Sequence, residues 1–136
     1  MKKLLSAAAL LFAATVTLGS AVAGDQYDVT VKSPSCKTNE RAVARISVAP
    51  KGAFHVNLEY PIKLTITPPD GVKLDKEKQT KDDAKRFEKA GLDFEVGFVA
   101  DGKGKKSFNG EIRFAVCTDT DCKPTTEKVA FDVDVK

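Results

Sequence analysis

The 136-residue chain has no tryptophan, one histidine and one methionine, and only 7% of its residues are aromatic. Any core must therefore lean on Val, Ile, Leu and Phe. The single methionine is Met1, which excludes a Met-rich copper carrier. Beyond residue 23 no stretch approaches the roughly 18 consecutive apolar residues of a membrane span. Excess charge of one sign is also missing, since 22 Lys+Arg face 19 Asp+Glu for a formal net charge of +3. A domain so close to neutral is a poor electrostatic partner for nucleic acid or anionic lipid. The lone histidine is not accompanied by a G-x-S-x-G nucleophile motif, so hydrolytic chemistry lacks its usual parts. What the chain does contain is globular in balance: 42% hydrophobic and 30% charged residues, in a length that suits one ordinary domain.

The start of the chain reads as a secretory signal peptide. Met1-Lys2-Lys3 supplies a short positive head, Leu4 to Val16 is apolar except for Ser6 and Thr15, and Ala21-Val22-Ala23 is a small-x-small cleavage pattern. The expected division is 1–23 signal peptide and 24–136 a single domain. Removing 23 of 136 residues leaves 113, and loss of Lys2 and Lys3 lowers the formal charge from +3 to +1. No Cys follows Ala23, so no lipoprotein cleavage box is read, and no membrane insertion is expected after cleavage. Export, to the bacterial periplasm or as a secreted protein, is expected to place Cys36, Cys117 and Cys122 where disulfides form and persist. An odd number leaves one thiol over or pairs it between chains.

The mature part reads as strands. Tyr27, Val29 and Val31 alternate with polar residues, as do Ala42, Ala44, Ile46 and Val48. The same period of two runs through Phe54, Val56, Leu58 and Tyr60, then Ile62, Leu64 and Ile66, then Leu92, Phe94, Val96 and Phe98. Phe108, Ile112, Phe114 and Val116 mark a long strand, and Val129, Phe131, Val133 and Val135 the last. Pro50-Lys51-Gly52, Pro68-Pro69-Asp70-Gly71 and Asp101-Gly102-Lys103-Gly104 are turns. The pattern predicts an all-β, immunoglobulin-like antiparallel β-sandwich of seven to eight strands. Residues 75–89 interrupt it with six basic and five acidic side chains. They predict a solvated loop or a short helix from Asp82 to Ala90 ended by Gly91, or else a mobile loop over a site.

The informative element is Cys117-Thr118-Asp119-Thr120-Asp121-Cys122, followed by Lys123-Pro124. If the two cysteines lie opposite each other in a hairpin, Phe108 meets Phe131, Gly110 meets Val129 and Glu111 meets Lys128. A slip of one residue would lose that match. Opposed Cα atoms lie roughly 4.5–5.5 Å apart, within the roughly 4.4–6.8 Å a disulfide accepts. The pair would sit at the sheet's end on the face opposite Phe114 and Val116, near solvent. Closing so short a loop is worth roughly 2 kcal/mol, whereas a bridge from Cys36 to Cys117 would give roughly 4.5 kcal/mol in the same chain-entropy account. Asp119 and Asp121 disfavour a thiolate while Lys123 favours one, so a disulfide here is better suited to be attacked by a partner's thiolate than to attack.

Three stretches carry a resemblance: Lys51-Gly52-Ala53-Phe54-His55-Val56-Asn57 running into Pro61-Ile62-Lys63-Leu64-Thr65-Ile66; Thr67-Pro68-Pro69-Asp70-Gly71-Val72; and Phe114-Ala115-Val116-Cys117 through Cys122-Lys123-Pro124. With the strands between them, most of residues 40–136 resembles the N-terminal, immunoglobulin-like periplasmic domain of the DsbD-type thiol:disulfide interchange proteins. The resemblance implies that Cys117 and Cys122 form a redox-active pair. It also implies that the pair exchanges electrons with thioredoxin-like or other periplasmic thiol proteins, the donor here being a separate protein. The stretch matching the family's shielding loop, Lys76–Lys81, has no aromatic, and Phe87 is the nearest. The other reading is a non-catalytic secreted β-sandwich, a binding or structural module stapled by its disulfide. Cys36, in Ser33-Pro34-Ser35-Cys36, is a buried idle thiol, an intermolecular bridge or a resolving thiol. A zinc set of Cys36, Cys117, Cys122 and His55 is chemically acceptable. However, His55 shares a face with Asn57 and Glu59 that is expected to meet water, so neither a metal nor a cofactor is expected.

Overall fold

In a computed structural model the chain is described at residues 17–18 and 22–136. The positive head and the whole apolar run of the expected signal peptide lie outside the described residues. Two antiparallel sheets enclose one core. The first contains β1 (Thr17–Leu18), β2 (Val22–Ala23), β3 (Tyr27–Ser33), β4 (Arg41–Pro50), β7 (Val72–Leu74), β9 (Arg86–Glu88) and β10 (Gly91–Ala100). The second contains β5 (His55–Val56), β6 (Lys63–Thr67), β8 (Lys78–Gln79), β11 (Gly104–Cys117) and β12 (Cys122–Val135). The long strands run β3-β4-β10-β7 in one layer and β12-β11-β6-β8 in the other. That is the strand order of an immunoglobulin-like sandwich. No helix among the described residues is long and apolar enough to cross a membrane.

Period-two alternation placed the core correctly. Val29, Val31, Ala44, Ile46, Val48, Phe94, Val96 and Phe98 face inward from one sheet, and Leu64, Ile66, Phe108, Ile112, Phe114, Val116, Val129 and Phe131 from the other. The expected hairpin register holds along its whole length: Phe108 meets Phe131, Gly110 meets Val129 and Glu111 meets Lys128. The Phe108 and Phe131 rings stack at 4.7 Å. Gly110 is required by close approach, because a Cβ there would lie 2.2 Å from the Thr65 carbonyl oxygen of β6. Across the open side of the sandwich, Tyr27 sets its ring edge-on to Phe114 at 5.0 Å and donates its hydroxyl to Glu127.

Among the described residues there are twelve strands, the long ones of the expected sandwich and several short pieces that complete sheet edges. Residues 75–89 do not form a helix over 82–90. A 3-10 turn at Lys81–Asp83 is followed by β9. The Asp83 carboxylate accepts the Thr80 N–H at 2.9 Å and the Lys76 ammonium at 2.9 Å, which hold it below the usual carboxylate range. Arg86 then pairs with Asp93 of β10 at 3.0 Å, and Phe87 packs on the core. A helix would have turned both away. β7 and β9 share the place beside β10, while β8 between them crosses to the edge of the other sheet. The buried Gln79 ties the two layers by donating its amide to the Glu95 carbonyl at 2.8 Å.

Candidate functional site

Cys117 and Cys122 are joined by a disulfide, with Cα atoms 4.0 Å apart. The turn explains the close approach. Thr118 N–H donates to the Asp121 carbonyl at 2.7 Å, so the preceding cysteine pair takes the narrow, non-hydrogen-bonded position of the ladder. The Thr118 hydroxyl oxygen accepts the Asp121 N–H at 3.1 Å and braces the loop from within.

The two cysteines do not share one environment. Cys122 is exposed, whereas Cys117 is only 3% exposed. The expectation of a bond near solvent therefore holds for one half alone. Cys117 is enclosed because β5 adds a strand on its other side, with His55 opposite Cys117 and Val56 opposite Val116. The expected strand through Phe54, Val56, Leu58 and Tyr60 is only these two residues long. Asn57 N–H still donates to the Ala115 carbonyl at 2.9 Å, and then the chain turns. The Asn57 side-chain oxygen accepts the Glu59 N–H at 2.9 Å, a self-made turn that asparagine favours, and Leu58 is left 42% exposed. That same turn points the Asn57 amide nitrogen at Cys122 Sγ, 3.9 Å away.

The site thus contains two residues that sequence reasoning did not assign to it. His55 was expected to meet water, yet it is half-buried and opposed to Cys117. The pairing of β5 with β11 joins residues about sixty positions apart, and no local pattern announces it. Only the resemblance stretch containing His55 and Asn57 could have pointed to them.

Cys36 lies elsewhere. It bridges to Val135, at the far end of β12 from Cys122, about 40 Å away at the rise of a strand. It is free and buried, and burial, with Glu40 adding to it, pushes its thiol up. Cys36 is thus buried, as one of the three readings expected, and its distance from the hairpin does not suit a resolving role. The Cys36, Cys117, Cys122 and His55 set is likewise not assembled, and among the described residues no group of three or more His, Cys, Asp or Glu could hold a metal ion.

No family model matches the chain, and no curated protein matches it. Several solved structures show weak similarity to the chain. An S-layer protein fragment, SbsC domains 4 and 5, is 11% identical with a TM-score of 0.38 over 89% of this chain, which spans 53% of that fragment. A PapD-like domain of human CEP192 is 8% identical with a TM-score of 0.41, covering 85% of this chain and 88% of that one. AggA, the major subunit of an Escherichia coli aggregative adherence fimbria, is 8% identical with a TM-score of 0.40, covering 84% and 98%.

Proposed function

We propose that this is an exported thiol:disulfide interchange domain of the kind found at the N-terminus of DsbD-type proteins. In this reading Cys117–Cys122 is the exchanged bond and thioredoxin-like proteins are its partners. The observation that carries the reading is the asymmetry of the bond. One sulfur, Cys122, stands at the tip of a ribbon open to a second protein. The other, Cys117, is enclosed. A partner's thiolate can reach only the first, so attack has one direction: the partner bonds to Cys122 and Cys117 leaves. The Asn57 amide beside Cys122 Sγ supports negative charge there when the mixed disulfide is later released. Residues 1–23 serve as the export signal and place the domain in the periplasm.

Trapping tests this. Cys117→Ser leaves Cys122 free and reachable, and should capture thiol proteins of the exported fraction as mixed disulfides that reductant dissolves. Cys122→Ser leaves only the enclosed sulfur and should capture far less. If neither variant captures a partner, and the bond's reduction potential lies far below about −300 mV, the disulfide is a staple in a non-catalytic module.

A further inference from the structure

In the sheet, Cys117 has a cross-strand neighbour on each side: Cys122 on β12 and His55 on β5. Opposed residues of an antiparallel pair project to the same face with Cβ atoms roughly 4.5–5.5 Å apart. The protein's only histidine therefore stands against the sulfur that departs when Cys122 is attacked. A thiolate released at a site 3% exposed has little water to solvate it, and its formation is opposed unless a cation or a proton is at hand. No other ionisable side chain is placed opposite Cys117 in these strands. Asp119, Asp121, Lys123, Glu59 and Lys89 surround this end of the sheet, but all are exposed and screened by water. On β10, Asp93 is held by Arg86.

We propose that His55, as imidazolium, receives the departing Cys117 thiolate and shares its proton with it. This deepens the exchange reading and rests on it for its physiological meaning. A partner thiolate bonds to Cys122 Sγ. The Sγ–Sγ bond breaks, and its electron pair goes to Cys117 Sγ beside the imidazolium. The partner's second thiolate then attacks the partner's own sulfur in the mixed disulfide, and Cys122 leaves as a thiolate that takes a proton from water. The partner dithiol is oxidised by two electrons and the hairpin is reduced by two.

The test is reduction of the purified protein by dithiothreitol, with the rate constant expressed per dithiothreitol thiolate. In the native protein it should rise about tenfold as pH falls from about 8 to about 5, the interval in which imidazoles gain a proton. In His55→Gln it should stay flat. An unchanged profile in His55→Gln, or a flat one in the native protein, overturns the proposal. Should His55→Gln not fold, the lone histidine can be followed by proton NMR in the unmutated protein. Its titration midpoint should lie higher in the reduced form than in the oxidised form, because a neighbouring thiolate favours the charged ring, and equal midpoints overturn the proposal. Dithiothreitol replaces the protein partner in both measurements. A failure to trap partners would therefore defeat the relay alone, and a flat native profile would defeat the role of His55 alone.

Discussion

Tyr27 and Cys36 are two side chains whose ionisation the fold opposes, at opposite ends of the sandwich and with different consequences. Cys36 is held at the terminus of β12 by main-chain bonds on both sides, from its N–H to Asp134 and from Lys136 N–H to its carbonyl. Its raised thiol is protonated and enclosed, so it packs as a small apolar group. Tyr27 is raised from 10.0 to about 12, first by burial and then by its hydroxyl's bond to Glu127. The folded state thus favours the neutral phenol. That contribution is complete below the unfolded value of 10.0 and is lost as pH rises through the folded value of about 12. The melting temperature should fall more steeply between those limits in the native protein than in Tyr27→Phe, measured by circular dichroism across the alkaline range. Below them Tyr27→Phe should cost about 1 kcal/mol for the lost hydrogen bond.

At the scale of elements, the β11–β12 hairpin is the longest pairing and also the one that holds the disulfide. Its register is over-determined: stacked Phe108 and Phe131, the glycine that admits β6, and the bond at the tip all demand the same pairing. Replacing both Cys117 and Cys122 by Ala should therefore leave the fold intact and lower unfolding free energy by about 2 kcal/mol, as expected for so short a closed loop. Denaturant titration measures this, and loss of folding would show that the bond and not the core sets the register. That register was legible in the sequence because the cysteines, the phenylalanines and the Glu111–Lys128 pair all align under one assumption. The course of residues 75–89 was not legible. Their charges suit a helix or a loop equally well, and what decided for β8 and β9 was the Gln79–Glu95 tie and the Arg86–Asp93 pair, contacts between residues that local patterning cannot join.

For the whole molecule, β1 and β2 pair with the outer edge of β3, and both lie in the segment expected to be removed on export. Among the residues whose burial is described, 23–136, the buried core begins at Val29. A chain lacking residues 1–23 should keep the fold and lose about 1 kcal/mol, the scale of an edge hydrogen bond. Its denaturation midpoint against that of the full chain measures this, and a collapse of stability would mean that the leader belongs to the domain.

By itself the sequence determined the all-β class, the inward-facing residues and the pairing of the last two strands. Each of these is written in a period of two or in a hairpin whose arms are neighbours in the chain. Tertiary structure alone decided that Cys117 would be covered while Cys122 stayed open, that His55 and Asn57 would flank them, and that Cys36 would lie at the other end. These outcomes depend on β5 closing against β11 and on the chain after Ser33 meeting the end of β12. Such long-range contacts form because burying two apolar faces against each other fixes where every strand ends, and no local run of residues records that.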